Sequence, residues 1–246
     1  MKNKRFVLKL LLFILTIGIV ISSYNVCSVL LEYKKTSVVY DDISSFAVSP
    51  EKETNKDTTN NGLPNISINF ENLKQINPDI KGWLYNEALG VNYPVIQGND
   101  NSQYLKHLPT GEYSESGTLF FDFRTDITAE HILVYGHNMY NGSMFGGLQK
   151  YTDQEFYNQH PTFYYYEENN TYKLNVISAH YTNDTDFTYT LGEQLDMEKY
   201  VEYIKEKSCI KTDVKYRSGD SIITFSTCAY LKSGNRFVVH CKVEKI

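Results

Sequence analysis

Residues 222–228 read Ile-Ile-Thr-Phe-Ser-Thr-Cys, and residues 236–243 read Arg-Phe-Val-Val-His-Cys-Lys-Val. Both runs are rich in β-branched and aromatic residues, which fit a pleated, half-buried surface. In the second run Phe237, Val239, Cys241 and Val243 alternate with Arg236, Val238, His240 and Lys242. That period of two predicts a strand whose Phe237 face points to the core and whose Arg236 face points away. The intervening Ala229–Asn235 contains Ser233-Gly234-Asn235 and is long enough to turn. An antiparallel pair would then set Cys228 and Arg236 side by side at one end.

Outward from this pair the domain continues as strands. Gly82–Tyr85, Val91–Ile96, Gly117–Phe123, His131–Tyr135, Thr162–Tyr166 and Tyr172–His180 are further candidates, the last two forming a hairpin around Glu167–Thr171. Pro94 marks its strand as an edge or a bend, because proline donates nothing to a ladder. Phe70, Leu73 and Ile76 suggest a short helix ended by Asn77-Pro78. Residues 196–207 carry Met197, Tyr200, Val201 and Ile204 at helical spacing, with Asp196 as N-cap. About eight strands with few helices favour a mostly β fold, a closed barrel or a sandwich.

A third segment, Ile132-Leu133-Val134-Tyr135-Gly136-His137-Asn138-Met139, is a strand that runs out into a glycine and then a histidine. A thiol attacks a carbonyl as thiolate, and a nearby His or Arg favours that form. His137 is suited to exchange a proton with Cys228 and then to protonate a leaving amine. Arg236 is suited to donate to the carbonyl oxygen as charge builds on it. Ser226 and Thr227 are candidates to bind substrate or orient Arg236. Taken singly, Cys228 also fits a small core residue, Arg236 a solvated strand-end charge and His137 a structural histidine, as His107, His131, His160, His180 and His240 are expected to be.

The first 35 residues hold six basic side chains against Glu32 alone, a charge of +5; the rest holds 18 basic and 28 acidic residues, −10. A body this acidic repels polyphosphate, which argues against nucleic acid as a partner. Cys27, Cys209, Cys228 and Cys241 form no CxxC pair and no zinc-type spacing, so no metal or organic cofactor is expected.

The apolar run from Phe6 to Ser23 is long enough to span a bilayer, and no A-x-A cleavage pattern follows it. The expected organisation is a basic cytoplasmic tail at 1–5, an uncleaved membrane anchor at 6–24, an extracellular linker at 25–66 and a catalytic domain at 67–246. Residues 25–40 are apt to continue the helix. Residues 41–66 are mostly polar, with PEKETNKDTTNNG at their centre, and read as a flexible tether. Basic residues before the anchor place the N-terminus in the cytoplasm and the body outside the cell.

Thr224-Phe225-Ser226-Thr227-Cys228, with Arg236 eight residues on, resembles the T-L-x-T-C…R signature of sortases, and VYGHNM at 134–139 resembles their histidine motif. NPDIKGWL at 77–84, followed by NYPVIQGNDNSQYL at 92–105, resembles the start of a class B sortase domain; the helix at 196–207 resembles one that class B members insert. Where some class B members carry acidic residues shortly after the cysteine, this chain has Ala229-Tyr230-Leu231. The resemblance covers residues 68–246. It implies a closed eight-stranded β-barrel with a Cys228–His137–Arg236 site. It also implies cleavage of a C-terminal sorting signal after Thr, a thioacyl-enzyme on Cys228, and transfer of the surface protein to an amine of cell-wall peptidoglycan. Two other functions stay open: a cysteine peptidase that releases the acyl-enzyme to water, and a non-catalytic surface-binding module.

Overall fold

A computed structural model of the chain describes residues 2–49, 63–192, 195–228 and 235–246. They fall into two units, 1–40 and 41–246. The first unit is helical. It holds most of α1 (Lys2–Ala47), a helix long and apolar enough, by length and composition, to cross a membrane. Its apolar side chains, among them Phe6, Phe13, Val20 and Leu31, are exposed. A helix apolar all round is one that hydrocarbon can solvate.

The second unit opens with the last residues of α1, where Ile43 and Ala47 are buried. Sequence polarity assigns these residues to the linker; two apolar side chains in that stretch are enough to pack it. Strand β1 (Val48–Ser49) pairs with β2 (Ser67–Ile68), and α2 (Phe70–Ile76) follows with Asn69 as its cap. Residues 50–62, the centre of the expected tether, and residues 229–234, which include Ala229-Tyr230-Leu231 and most of the expected turn, lie outside the described residues.

Eight strands then close into a barrel: β3 (Ile80–Asn86), β4 (Val91–Ile96), β5 (Leu119–Phe121), β6 (His131–Tyr135), β7 (Thr162–Tyr166), β8 (Thr171–Asn183), β9 (Ile222–Cys228) and β10 (Asn235–Lys245), in the order β10-β8-β7-β3-β4-β5-β6-β9. Closure leaves no free sheet edge. The pairs β4–β5 and β6–β9 are parallel, and the others are antiparallel. Pro94 therefore sits in an interior strand, not at an edge. It is tolerated because β4 pairs with β5 only from Val95 onward, so proline's missing N–H falls where that ladder has not begun. Strand β5 is shorter than the predicted Gly117–Phe123, because Gly117 has φ +54° and ends the extended run on its N-terminal side. A short helix, α3 (Gln154–Gln159), capped by Asp153, leads into β7.

The barrel interior holds Leu84, Phe121, Phe163, Phe225 and Phe237, and Trp83 is buried on the opposite face of β3; none is more than about 1 % exposed. Each large apolar side chain buried here contributes roughly 1.5–3 kcal/mol relative to exposure. The outer face of β8, β9 and β10 is covered too. Helix α4 (Met197–Glu206), capped by Asp196, packs Met197, Tyr200, Val201 and Ile204 against Ile177 and Ile222. Val238 and His240 lie on the strand face opposite Phe237, yet both are buried. His240, His180 and His131 are thus taken out of water together. Burial holds His131 and His180 down at about 4, and burial, with the neighbouring histidines, pushes His240 well below its ordinary value. The neutral rings are hydrogen-bonded in place: Thr224 Oγ1 lies 3.0 Å from His131 Nε2 and 2.8 Å from His240 Nδ1.

Candidate active site

Strand β9 ends on Cys228 and β10 begins one residue before Arg236. The antiparallel register sets Cys228 directly opposite Arg236. Directly opposed residues share a face, so the two side chains emerge together, as the alternation in the sequence predicts. Cys228 is exposed, and its thiol is free.

Strand β6 lies on the other side of β9, parallel to it, with Tyr135 level with Ser226. The Gly136 N–H extends that ladder to the Ser226 carbonyl at 3.1 Å. A Cβ at Gly136 would stand 2.4 Å from a Leu119 methyl and 2.6 Å from the Phe145 ring, so this close approach needs glycine. His137 comes next, just past the end of β6. Its carbonyl accepts from Phe145 N–H at 2.9 Å, and Asn138 bridges to Met144, which has a left-handed φ of +54°. A non-glycine residue in that conformation stores strain of about 1–3 kcal/mol, and the surrounding packing holds it there.

Three contacts fix the two halves of the site to one another. The buried Asn138 donates its Nδ2–H to the Cys228 carbonyl at 2.7 Å. His137 Nε2 lies 2.7 Å from the Leu105 carbonyl. Arg236 Nη2 reaches Asp184 Oδ2 at 3.5 Å, across the β8–β10 pair. All of these groups except the buried Asn138 line one cavity of about 340 Å³, which also holds Arg124, Tyr135 and Tyr189.

Behind the lining residues Asn101, Arg124 and Tyr135 lies the buried Asp122 carboxylate, which all three contact. Burial pushes the Asp122 carboxyl up, but hydrogen bonds from the Arg124 guanidinium, the Arg124 N–H and the Asn101 amide more than offset this and hold it below its usual range. Burial, followed by the neighbouring Asp122 charge, raises Tyr135, and burial raises Tyr189 to about 12. Both phenols are therefore neutral near pH 7.

Of the predicted substrate-binding pair, Ser226 meets Tyr189 hydroxyl to hydroxyl at 2.7 Å. Thr227 lies opposite the buried Phe237 in the ladder, and its hydroxyl is buried without a partner. Among the described residues no group of three or more His, Cys, Asp or Glu side chains is placed to hold a metal ion.

Residues 84–244 match the sortase domain family model. The chain belongs to the sortase family. This sortase is 32% identical over 233 residues to sortase B of Listeria monocytogenes, an alignment covering 93% of this chain and 92% of the relative. It is 30% identical to sortase B of Staphylococcus aureus over the whole of both chains. Among solved structures it resembles an S. aureus sortase B–substrate complex (TM-score 0.68, 34% identity, 72% of this chain and 85% of that one). It also resembles sortase B of Bacillus anthracis (TM-score 0.74, 32% identity, 88% of this chain and 100% of that one). The expected eight-stranded barrel and class B likeness are therefore correct, and the protein is a sortase-type cysteine transpeptidase.

Sequence reading did not find Asn138, Leu105, Asp184 or Tyr189 as members of this sortase's site. Asn138 stands beside His137 in the histidine motif, and its neighbour's suspected role was the one available signal. Leu105 enters through its main chain, which no residue type announces.

Proposed function

We propose that Cys228 is the nucleophile of this transpeptidase, His137 its proton partner and Arg236 the donor to the developing oxyanion. One observation carries the assignment: an exposed thiol and a guanidinium stand opposite each other across β9–β10, and a histidine on the adjoining strand end opens onto the same cavity. His137 takes the Cys228 proton. The Sγ then attacks the carbonyl carbon of the substrate's Thr, and the oxygen gains the charge that Arg236 meets. As the C–N bond breaks, His137 returns the proton to the leaving amine, and a thioester remains on Cys228. An incoming amine loses a proton to His137, attacks the thioester and forms the new amide. The thiolate is released and takes that proton back from His137, which returns the site to its starting state.

The substrate we infer is a surface protein cleaved after Thr in a C-terminal sorting signal, and the acceptor an amine of cell-wall peptidoglycan. Relatives support the reading: S. aureus sortase B has been solved with a substrate, and a sortase B has been solved in complex with triglycine. In the same proposal residues 1–5 stay in the cytoplasm, 6–24 anchor the chain in the membrane, 25–66 link it outward and 67–246 work outside the cell. The apolar α1 supports that arrangement.

Full-length protein in detergent, mixed with a panel of sorting-signal peptides and an oligoglycine or diaminopimelate-type amine, tests it through product masses. Amine-joined peptide is the expected product. Hydrolysed peptide alone, with every amine tried, would favour a peptidase. No turnover of any peptide would favour a binding module.

A further inference from the structure

We propose that the main-chain carbonyl of Leu105 sets the tautomer of His137, and that Gly117 is the positioning residue that keeps this carbonyl in place. The catalytic consequence rests on the reading of His137 as proton partner; the tautomer itself does not.

A carbonyl oxygen carries lone pairs and no hydrogen, so in the 2.7 Å contact between His137 Nε2 and Leu105 O the ring nitrogen is the donor. A neutral imidazole has one N–H. With that hydrogen on Nε2, Nδ1 is left bare, and it is the atom that takes the proton from the Cys228 thiol. When the ring is charged, both nitrogens carry hydrogen: the carbonyl still accepts from Nε2, and Nδ1–H is the proton handed to the leaving amine. The carbonyl thus does for this ring what a second side chain does in a triad: it holds one tautomer and one orientation.

The carbonyl is itself clamped. Its neighbour Tyr104 accepts Thr118 N–H at its carbonyl at 3.1 Å, donates its hydroxyl to Asp79 at 2.7 Å and accepts from Asn77 Nδ2 at 3.0 Å. Asn77 and Asp79 belong to the NPD motif before β3, a role for that motif that the sequence alone does not supply. From the other side Gly117 lies against the same peptide. A Cβ there would stand 2.3 Å from Leu105 O and 2.8 Å from Tyr104 O, both main-chain atoms with no rotamer to escape into. Gly117 also has φ +54°, where a side chain is strained. Any side chain at 117 must therefore displace the acceptor that His137 uses.

The test uses full-length protein labelled with ¹⁵N-histidine in detergent, without substrate. Long-range ¹H–¹⁵N correlation spectra at a pH where His137 is neutral assign the tautomer. The expected result is a protonated Nε2 and a bare Nδ1, unchanged in Leu105→Ala, which keeps the carbonyl. Gly117→Ala should lose the single tautomer and lower kcat about 100-fold with KM within about threefold, the cost of a misplacement near 1 Å. Its circular dichroism should match wild type. A wild-type ring protonated on Nδ1 would overturn the proposal. So would a folded Gly117→Ala that keeps both tautomer and kcat. If Gly117→Ala does not fold, the wild-type and Leu105→Ala spectra decide. A correct tautomer in a protein that forms no adduct on Cys228 would leave this inference standing and count against the proposed function alone.

Discussion

The Asn138 side-chain amide donates to the Cys228 carbonyl at 2.7 Å, so the residue next to the histidine is tied to the main chain of the cysteine. The bond joins two segments 90 residues apart, and in the proposed mechanism it fixes the distance between the thiol and its proton partner. Removing the donor leaves a carbonyl at the strand end short of a partner, which costs about 1–3 kcal/mol where it is buried. We expect Asn138→Ala to lower kcat about 10- to 100-fold, as small displacements of reacting groups do. It should also slow alkylation of Cys228 by iodoacetamide. Steady-state kinetics and alkylation rates check this, and wild-type values for both would show that the tie does not matter.

Arg236 faces Cys228 across the ladder with a partial partner in Asp184. Lysine at 236 keeps the charge and loses the planar fork of donors. Arg236→Lys should therefore reduce kcat by about 100-fold, near the 3 kcal/mol that one preorganised oxyanion donor supplies. Near-normal turnover in this variant would remove Arg236 from the role of oxyanion donor.

Stability should depend on pH through the histidines under α4. His131 and His180 are held at about 4 in the folded chain against an ordinary 6.5, with burial the first cause. A depressed folded value means that the unfolded chain binds protons first. The stability is whole above about 6.5 and is lost as pH falls through that window to about 4. Each such ring adds a slope of up to about 1.4 kcal/mol per pH unit. Thermal unfolding measured across the window should show the midpoint falling, and His180→Gln should flatten the fall. A midpoint independent of pH there would mean that these rings titrate normally.

Much of this fold was legible because its signals are side-chain patterns. The alternation in Arg236–Val243 and the run Ile222–Thr227 set the β9–β10 pair, and the ends of those runs set Cys228 against Arg236. The histidine motif was legible by resemblance, since nothing in the spacing from His137 to Cys228 reports contact. What escaped reading came from three causes. Leu105 and Gly117 act through backbone geometry, which residue identity does not encode beyond the presence of a glycine. Asp184 meets Arg236 across 52 positions at a strand end with no periodicity to place it. The burial of His240 escaped for a third reason. Strand alternation says which face a residue is on, and only the docking of α4 decides whether that face is wet.

The central claim is that Cys228 forms the acyl bond. Full-length protein incubated with a cleavable sorting-signal peptide and no added amine, then read by intact mass and peptide mapping, tests it most directly. The mechanism predicts a hydroxylamine-labile adduct, equal to the peptide up to its Thr, on Cys228 and absent from a folded Cys228→Ala protein. An adduct on Cys27, Cys209 or Cys241, or peptide cleavage that survives Cys228→Ala, would contradict it.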